Sequence, residues 1–109
     1  MLAIQLTVKD MPSSAALEAH VREKAQKIKQ YHNHILSCRM TIGMQQKHKH
    51  RGKLYYAHMD ANVPGKKLVV SRQVNEDVYV AIRDAINALE RQLETHADKL
   101  AGRVKHHEA

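Results

Sequence analysis

The segment Glu76-Asp-Val-Tyr-Val-Ala-Ile-Arg-Asp-Ala-Ile-Asn-Ala-Leu-Glu-Arg-Gln-Leu-Glu-Thr-His-Ala-Asp-Lys-Leu100 decides the fold. Tyr79, Ile82, Ile86, Leu89, Leu93 and Leu100 recur in it at steps of three, four and seven. That spacing predicts an α-helix with one apolar stripe, which must be buried against a matching surface. Asn75 or Asp77 is placed to cap its start, and the acids Glu76 and Asp77 suit the positive end of the helix dipole. Gly102 is the expected stop.

The matching surface lies upstream. Leu2, Ile4, Leu6 and Val8 alternate with Ala3, Gln5, Thr7 and Lys9, the pattern of a half-buried strand. Asp10-Met-Pro-Ser-Ser14 ends it and offers Ser13 or Ser14 as a helix cap. Leu17, Val21, Ala25 and Ile28 then form the stripe of a first helix that ends near Tyr31-His-Asn-His34. Cys38, Met40, Ile42 and Met44 alternate as a second strand, Lys47–Lys53 is a loop, and Leu54–Val63 is a third strand. In the third, Tyr55, Ala57, Met59, Ala61 and Val63 point one way, and Tyr56, His58 and Asp60 the other. Pro64-Gly65 signals a turn into a fourth strand, Lys66–Val74. The prediction is an α+β domain of order β-α-β-β-β-α. Its last three strands form an antiparallel meander, the first strand is added at one side, and both helices cover one face. The core set includes Ile4, Leu6, Leu17, Val21, Ile28, Met40, Ile42, Met59, Ile82, Ile86, Leu89 and Leu93.

At 109 residues the chain holds one domain, expected over 1–101, with a basic, His-rich tail at 102–109. No apolar run approaches the roughly 18 residues of a membrane span, and the start lacks the features of a secretory signal. A single cysteine, Cys38, excludes an internal disulfide framework and favours a reducing cytoplasm. Charge is unevenly spread. Residues 1–75 hold 13 Lys/Arg against four acids, giving +9, and residues 76–109 hold five against seven, giving −2. The earlier elements and their loops are therefore expected to face a polyanion.

Several of these segments together resemble the ribosome hibernation-promoting factor family, also called ribosome-associated inhibitor A or the sigma-54 modulation protein family. The resemblance is carried by Asp77-Val-Tyr-Val-Ala-Ile-Arg-Asp84, Arg91-Gln-Leu93 and His96-Ala-Asp-Lys-Leu100 in the last helix. Leu17, Val21, Lys24, Ile28 and Tyr31 in the first helix, and Tyr55-Tyr-Ala-His-Met-Asp-Ala-Asn-Val-Pro-Gly65, add to it. It spans essentially residues 1–101. It implies a fold like a double-stranded-RNA-binding domain and a non-enzymatic translation regulator. Such a protein sits on ribosomal RNA of the small subunit near the decoding centre and keeps ribosomes idle under stress. Longer members add a C-terminal domain that pairs ribosomes; this chain, ending at Ala109, is expected to lack it. Relatives usually carry lysines where this chain has Ala88, Thr95 and Ala97, so the first helix and the loops are expected to take more of the phosphate contact.

The candidate RNA-binding residues are Arg22, Lys24, Lys27 and Lys29 on the first helix, and Lys47, Lys49, Arg51 and Lys53 in the loop. Arg91 and Lys99 on the last helix match the family pattern. Arg22 and Lys29 lie across from the apolar stripe, whereas Lys24 falls among apolar positions, its stem packed and its ammonium at the edge. Arg91 and Lys99 sit among Glu90, Glu94 and Asp98, and helical pairing at three or four residues is expected to absorb part of their charge. His48, His50 and Cys38, or His106 and His107, show no recognised ligand spacing, so no metal or other cofactor is expected. Cys38 alternates onto the apolar face, and His58 and Asp60, one step apart on a polar face, lack a nucleophile beside them. No enzyme and no small-molecule substrate are expected. Two further readings are a general structured-RNA-binding module and, less favoured, a protein adaptor using the wet sheet face at Arg39, Thr41, Tyr56 and His58.

Overall fold

The computed structural model describes residues 4–45 and 53–106, with side chains described as far as residue 100. Lys47, Lys49, Arg51, His48, His50 and His107 lie outside the described residues. The elements follow the predicted order: β1 (Ile4–Lys9), α1 (Ala15–Tyr31), β2 (Ser37–Gln45), β3 (Leu54–Val63), β4 (Lys66–Asn75) and α2 (Val78–His106). The sheet runs β1-β2-β3-β4 in space. β1 lies parallel to β2, and the β2, β3 and β4 pairings are antiparallel. A parallel neighbour needs a crossover, and α1 supplies it.

Both helices start where side chains satisfy their free amides. The Ser14 hydroxyl accepts from the Leu17 amide at 3.1 Å. Of the two candidate caps for α2, Asp77 takes the role: its carboxylate accepts from the Tyr79 amide at 2.9 Å. The Asn75 side chain in turn accepts from the Asp77 amide at 2.9 Å, so both residues are used in series. Glu76 and Asp77 therefore precede the helix and do not fill its first turn.

Register assigns the faces. Ile4, Cys38, Ala61 and Leu68 align across the four strands, as do Leu6, Met40, Met59 and Val70. These rows belong to one core that also takes Leu17, Val21, Ala25 and Ile28 of α1 and Ala81, Ile82, Ala85, Ile86, Leu89 and Leu93 of α2. Both helices thus cover the same face. The predicted core set is buried except Leu6, which is half-buried on the edge strand β1.

Two expectations fail for physical reasons. Gly102 does not stop α2, which continues to His106. A glycine inside a helix costs only about 1 kcal/mol relative to alanine, too little to halt a helix already propagating. Leu100 and Tyr79 lie at the ends of the stripe and are 47% and 41% exposed. Twenty-nine residues make a helix of roughly 43 Å, longer than a ten-residue strand at roughly 33 Å, so its ends outrun the sheet. β4 forms where expected, but it does not alternate throughout. Ala57 pairs with Gln73 and Met59 with Val70, so Ser71 and Arg72 stand opposite the single residue His58. This bulge reverses the parity of β4 and leaves Val74 on the open face, paired with Tyr56.

Leu89→Ala should lower stability by about 2–5 kcal/mol, the cost of a buried leucine cavity. Leu100→Ala should stay within about 0.5 kcal/mol, as at a surface position. Urea melts of both variants would check the pair, and equal losses would show the stripe to be assigned wrongly.

Candidate nucleic-acid interface

Cations of the two helices meet in a groove between them, lined by Lys24, Lys27 and Tyr31 of α1 and Arg83, Asn87 and Glu90 of α2. Lys24 is half-buried, as its place among apolar residues predicts, and Ile28 and Ile86 floor the groove beneath it. Tyr31 is 78% exposed beside these lysines, an aromatic face open to a stacking partner. Some of the charge is already partnered. Lys27 lies 3.7 Å from Glu23, and Arg83 lies 3.2 Å from Asp84. Both pairs are exposed, where such contacts contribute little and exchange readily for other anions.

Lys29 has a different setting from the one its helical position predicts. It is half-buried, and its ammonium donates to the carbonyl oxygens of Asn33 and, at 2.9 Å, Ile35. The chain folds back after α1 and brings those carbonyls over the helix end. Lys29 thus ties the α1–β2 turn, with one hydrogen left for any outside acceptor. Arg22 and Lys53 are exposed.

A second groove runs between α2 and the edge strand β4. Lys66, Leu68, Ala88, Arg91, Gln92, Thr95, His96 and Lys99 line it. The Gln92 amide donates to the Val69 carbonyl at 2.8 Å and fixes the helix against the strand. Arg91 and Lys99 are exposed. Among the described residues the ion pairs are Lys27–Glu23, Arg39–Asp60 and Arg83–Asp84, so the expected pairing of Arg91 and Lys99 with helix acids does not occur. Three full cations converge here with no carboxylate in the lining, which makes this the more electropositive of the two grooves. Lys66 and Arg83 were not among the candidates read from the sequence. Arg83 was legible as a cation one step from Ile82 of the apolar stripe, but its place beside α1, like that of Lys66 beside Arg91, comes only from the packing of the elements.

The open face of the sheet is less wet than its alternation suggests. Asp60 is buried there and held by Arg39 through two hydrogen bonds, at 3.0 and 3.2 Å, so its partner is Arg39 and not His58. Tyr56 is also buried, with the Arg72 guanidinium 4.0 Å over its ring. Cys38 lies in the core, and burial, with the Asp60 charge adding to it, pushes its thiol up to about 12. It stays a protonated thiol with no nucleophilic character at neutral pH. No group of three or more His, Cys, Asp or Glu among the described residues is arranged to hold a metal ion.

A family model described as Sigma 54 modulation protein / S30EA ribosomal protein matches residues 4–101. The chain belongs to this family. Solved structures of the same fold include a ribosomal subunit interface protein from Coxiella burnetii. It is 18% identical, with a TM-score of 0.74 over 87% of this chain and 97% of that one. The Thermus thermophilus Protein Y N-terminal domain is 19% identical, with a TM-score of 0.67 over 88% and 99%. Within the S30EA fold, Ala88 and Thr95, two of the three positions noted for their missing lysines, line the α2–β4 groove, and Lys66 of the neighbouring strand brings a cation to the same place.

At the end of α1, the His34 Nε2 is buried without a hydrogen-bond partner. Burial first, then the charges of His32, His96 and Lys29, hold its pKa below the ordinary histidine value of about 6.5. The unfolded chain therefore takes up this proton more readily than the folded one. The neutral-pH stability should fall as pH drops below about 6.5. Melts between about pH 7.5 and about pH 5 should show that loss in the natural chain and a flatter profile in His34→Gln. Parallel profiles would remove His34 as the cause.

Proposed function

We propose that the chain is a ribosome-associated translation regulator that binds ribosomal RNA of the small subunit near the decoding centre and keeps ribosomes inactive under stress. The observation that carries the ribosome into this reading is the family match across residues 4–101. The geometry supports the RNA chemistry. Two basic grooves flank α2, one shared with α1 and one with β4, and each combines long flexible cations with a rigid floor. Phosphates entering them displace condensed counterions, which makes the attraction strong at low salt and steep in its salt dependence. The exposed ring of Tyr31 offers stacking to an unpaired base beside the first groove. The domain acts by occupancy: bound in the space that messenger and transfer RNA need, it excludes them without any chemical step. No helix among the described residues is long and apolar enough to cross a membrane.

The purified chain should co-sediment with small subunits and inhibit a cell-free translation reaction. Migration with free protein at low salt, with translation unaffected, would refute this. Comparable affinity for an unrelated RNA duplex would replace it with a general structured-RNA module. The two grooves can be ranked as well. The sequence halves favour the first helix and the 47–53 loop, but the α2–β4 groove lacks the carboxylates that Glu23, Asp84 and Glu90 bring to the other. Arg91→Glu with Lys99→Glu should therefore weaken small-subunit binding at least as much as Lys24→Glu with Lys27→Glu. Each pair should reduce the salt slope by about one for every phosphate that the variant no longer neutralises. A negligible effect at Arg91 and Lys99 would return the weight to α1.

A further inference from the structure

On the face of the sheet opposite the helices, three groups form a layered stack. A Cβ built on Gly43 would lie 2.6 Å from the ring and hydroxyl of Tyr56, so the Tyr56 ring rests directly on the β2 backbone. Above the ring, the Arg72 guanidinium carbon sits 4.0 Å from its centroid. Tyr56 is 7% exposed although it lies on the open face, whereas Arg72 is exposed. The bulge produces this arrangement. In a regular strand Arg72 would share the core face with Leu68 and Val70, but the extra residue at Ser71–Arg72 turns it out over Tyr56. Three local features, a glycine, a tyrosine and a bulge, thus serve to hold one guanidinium against an aromatic ring.

The hollow beside the stack is lined by Asp10, Met44, Gln45, Tyr56 and Arg72. Asp10 reaches its rim with a left-handed backbone (φ 57°), uncommon for a residue other than glycine. Lys9 is exposed and pairs with Gly43 in the same cross-strand row. An anionic ligand would meet the Asp10 carboxylate. A neutral planar group that stacks on a guanidinium and donates hydrogen bonds to a carboxylate suits every part of the lining.

We propose that this stack is a docking platform for one unpaired base of single-stranded RNA, laid on the outer plane of the Arg72 guanidinium. The edge chemistry selects guanine. Its N1–H and N2–H2 are adjacent donors for the acceptor-only Asp10 carboxylate, and the Gln45 amide can both donate to and accept from the base. Lys9 serves the neighbouring phosphate. The proposal rests on reading the domain as an RNA binder, and it adds a contact on the face that the two helical grooves do not reach.

The test uses the full chain labelled with ¹⁵N and four tetranucleotides, UUGU, UUAU, UUCU and UUUU, titrated at low salt. UUGU should shift the Gly43 and Gln45 amides and the Arg72 side-chain N–H, and should bind about fivefold or more tighter than the others, the lower end of what one bidentate edge contact contributes to discrimination between bases. Arg72→Lys keeps the charge and loses the plane; it should remove that advantage. Asp10→Asn should erase the preference for guanine, bringing UUGU level with the other three tetranucleotides. Both positions are exposed, and a native-like spectrum shows that each variant is folded. Shifts confined to the helical grooves, or unchanged UUGU binding in Arg72→Lys, would overturn the platform. So would saturable shifts at Arg72 with an acidic peptide and none with RNA, which would assign the face to a protein. Co-sedimentation of Arg72→Lys with small subunits separates the two readings. Retained sedimentation with lost guanine preference upholds the platform, and a chain that never sediments but still prefers UUGU fails only the ribosomal reading.

Discussion

Everything in this domain is organised by the seating of α2 on β3 and β4. Ala57 and Ala61 on the strand and Ala81 and Ala85 on the helix are wholly buried. Side chains this small let helix and sheet approach closely, and the larger Ile82, Leu89, Met59 and Val70 fill the space around them. Neither element is stable alone: an isolated helix gains little without a covered stripe, and an open meander leaves one apolar face in water. The same seating fixes the grooves. The Gln92 bond to Val69 holds the helix at the sheet edge, and the helix then presents one row of polar residues toward α1 and another toward β4.

Much of this was legible in the sequence, and the reasons are local. The caps at Ser14 and Asp77, the span of β3 and the stripe from Ile82 to Leu93 each depend on spacing within one element. The failures arise where one element meets another. Lys29 looks solvent-facing on a helical wheel, but the wheel does not know that Asn33 and Ile35 fold back over the helix end. The β4 bulge adds one residue to a strand whose composition alternates plausibly with or without it. Leu100 belongs to the stripe by period and to solvent by length.

The candidate site was less legible than the fold for a related reason. Charge counted along the chain separates a basic segment, 1–75, from a mildly acidic one, 76–109, but a groove collects side chains by position in space. Lys66 comes from the basic part and Arg91 and Lys99 from the acidic one, and the acids of α2 do not line the groove where these three meet. Net charge per segment describes the far field that draws a polyanion in. The lining of each groove governs where its phosphates come to rest.

The bulge at Ser71–Arg72 also bears on how the protein behaves in a crowded solution. β4 is an edge strand, and a flat edge with free amides and carbonyls invites another sheet to continue it. Here that edge begins with two lysines, Lys66 and Lys67, is bent by the bulge, and has the Val69 carbonyl already taken by Gln92. An incoming strand would meet charge, a break in register and a missing acceptor within a few residues. The irregularity that turns Arg72 outward therefore also makes the β4 edge a poor template for another strand.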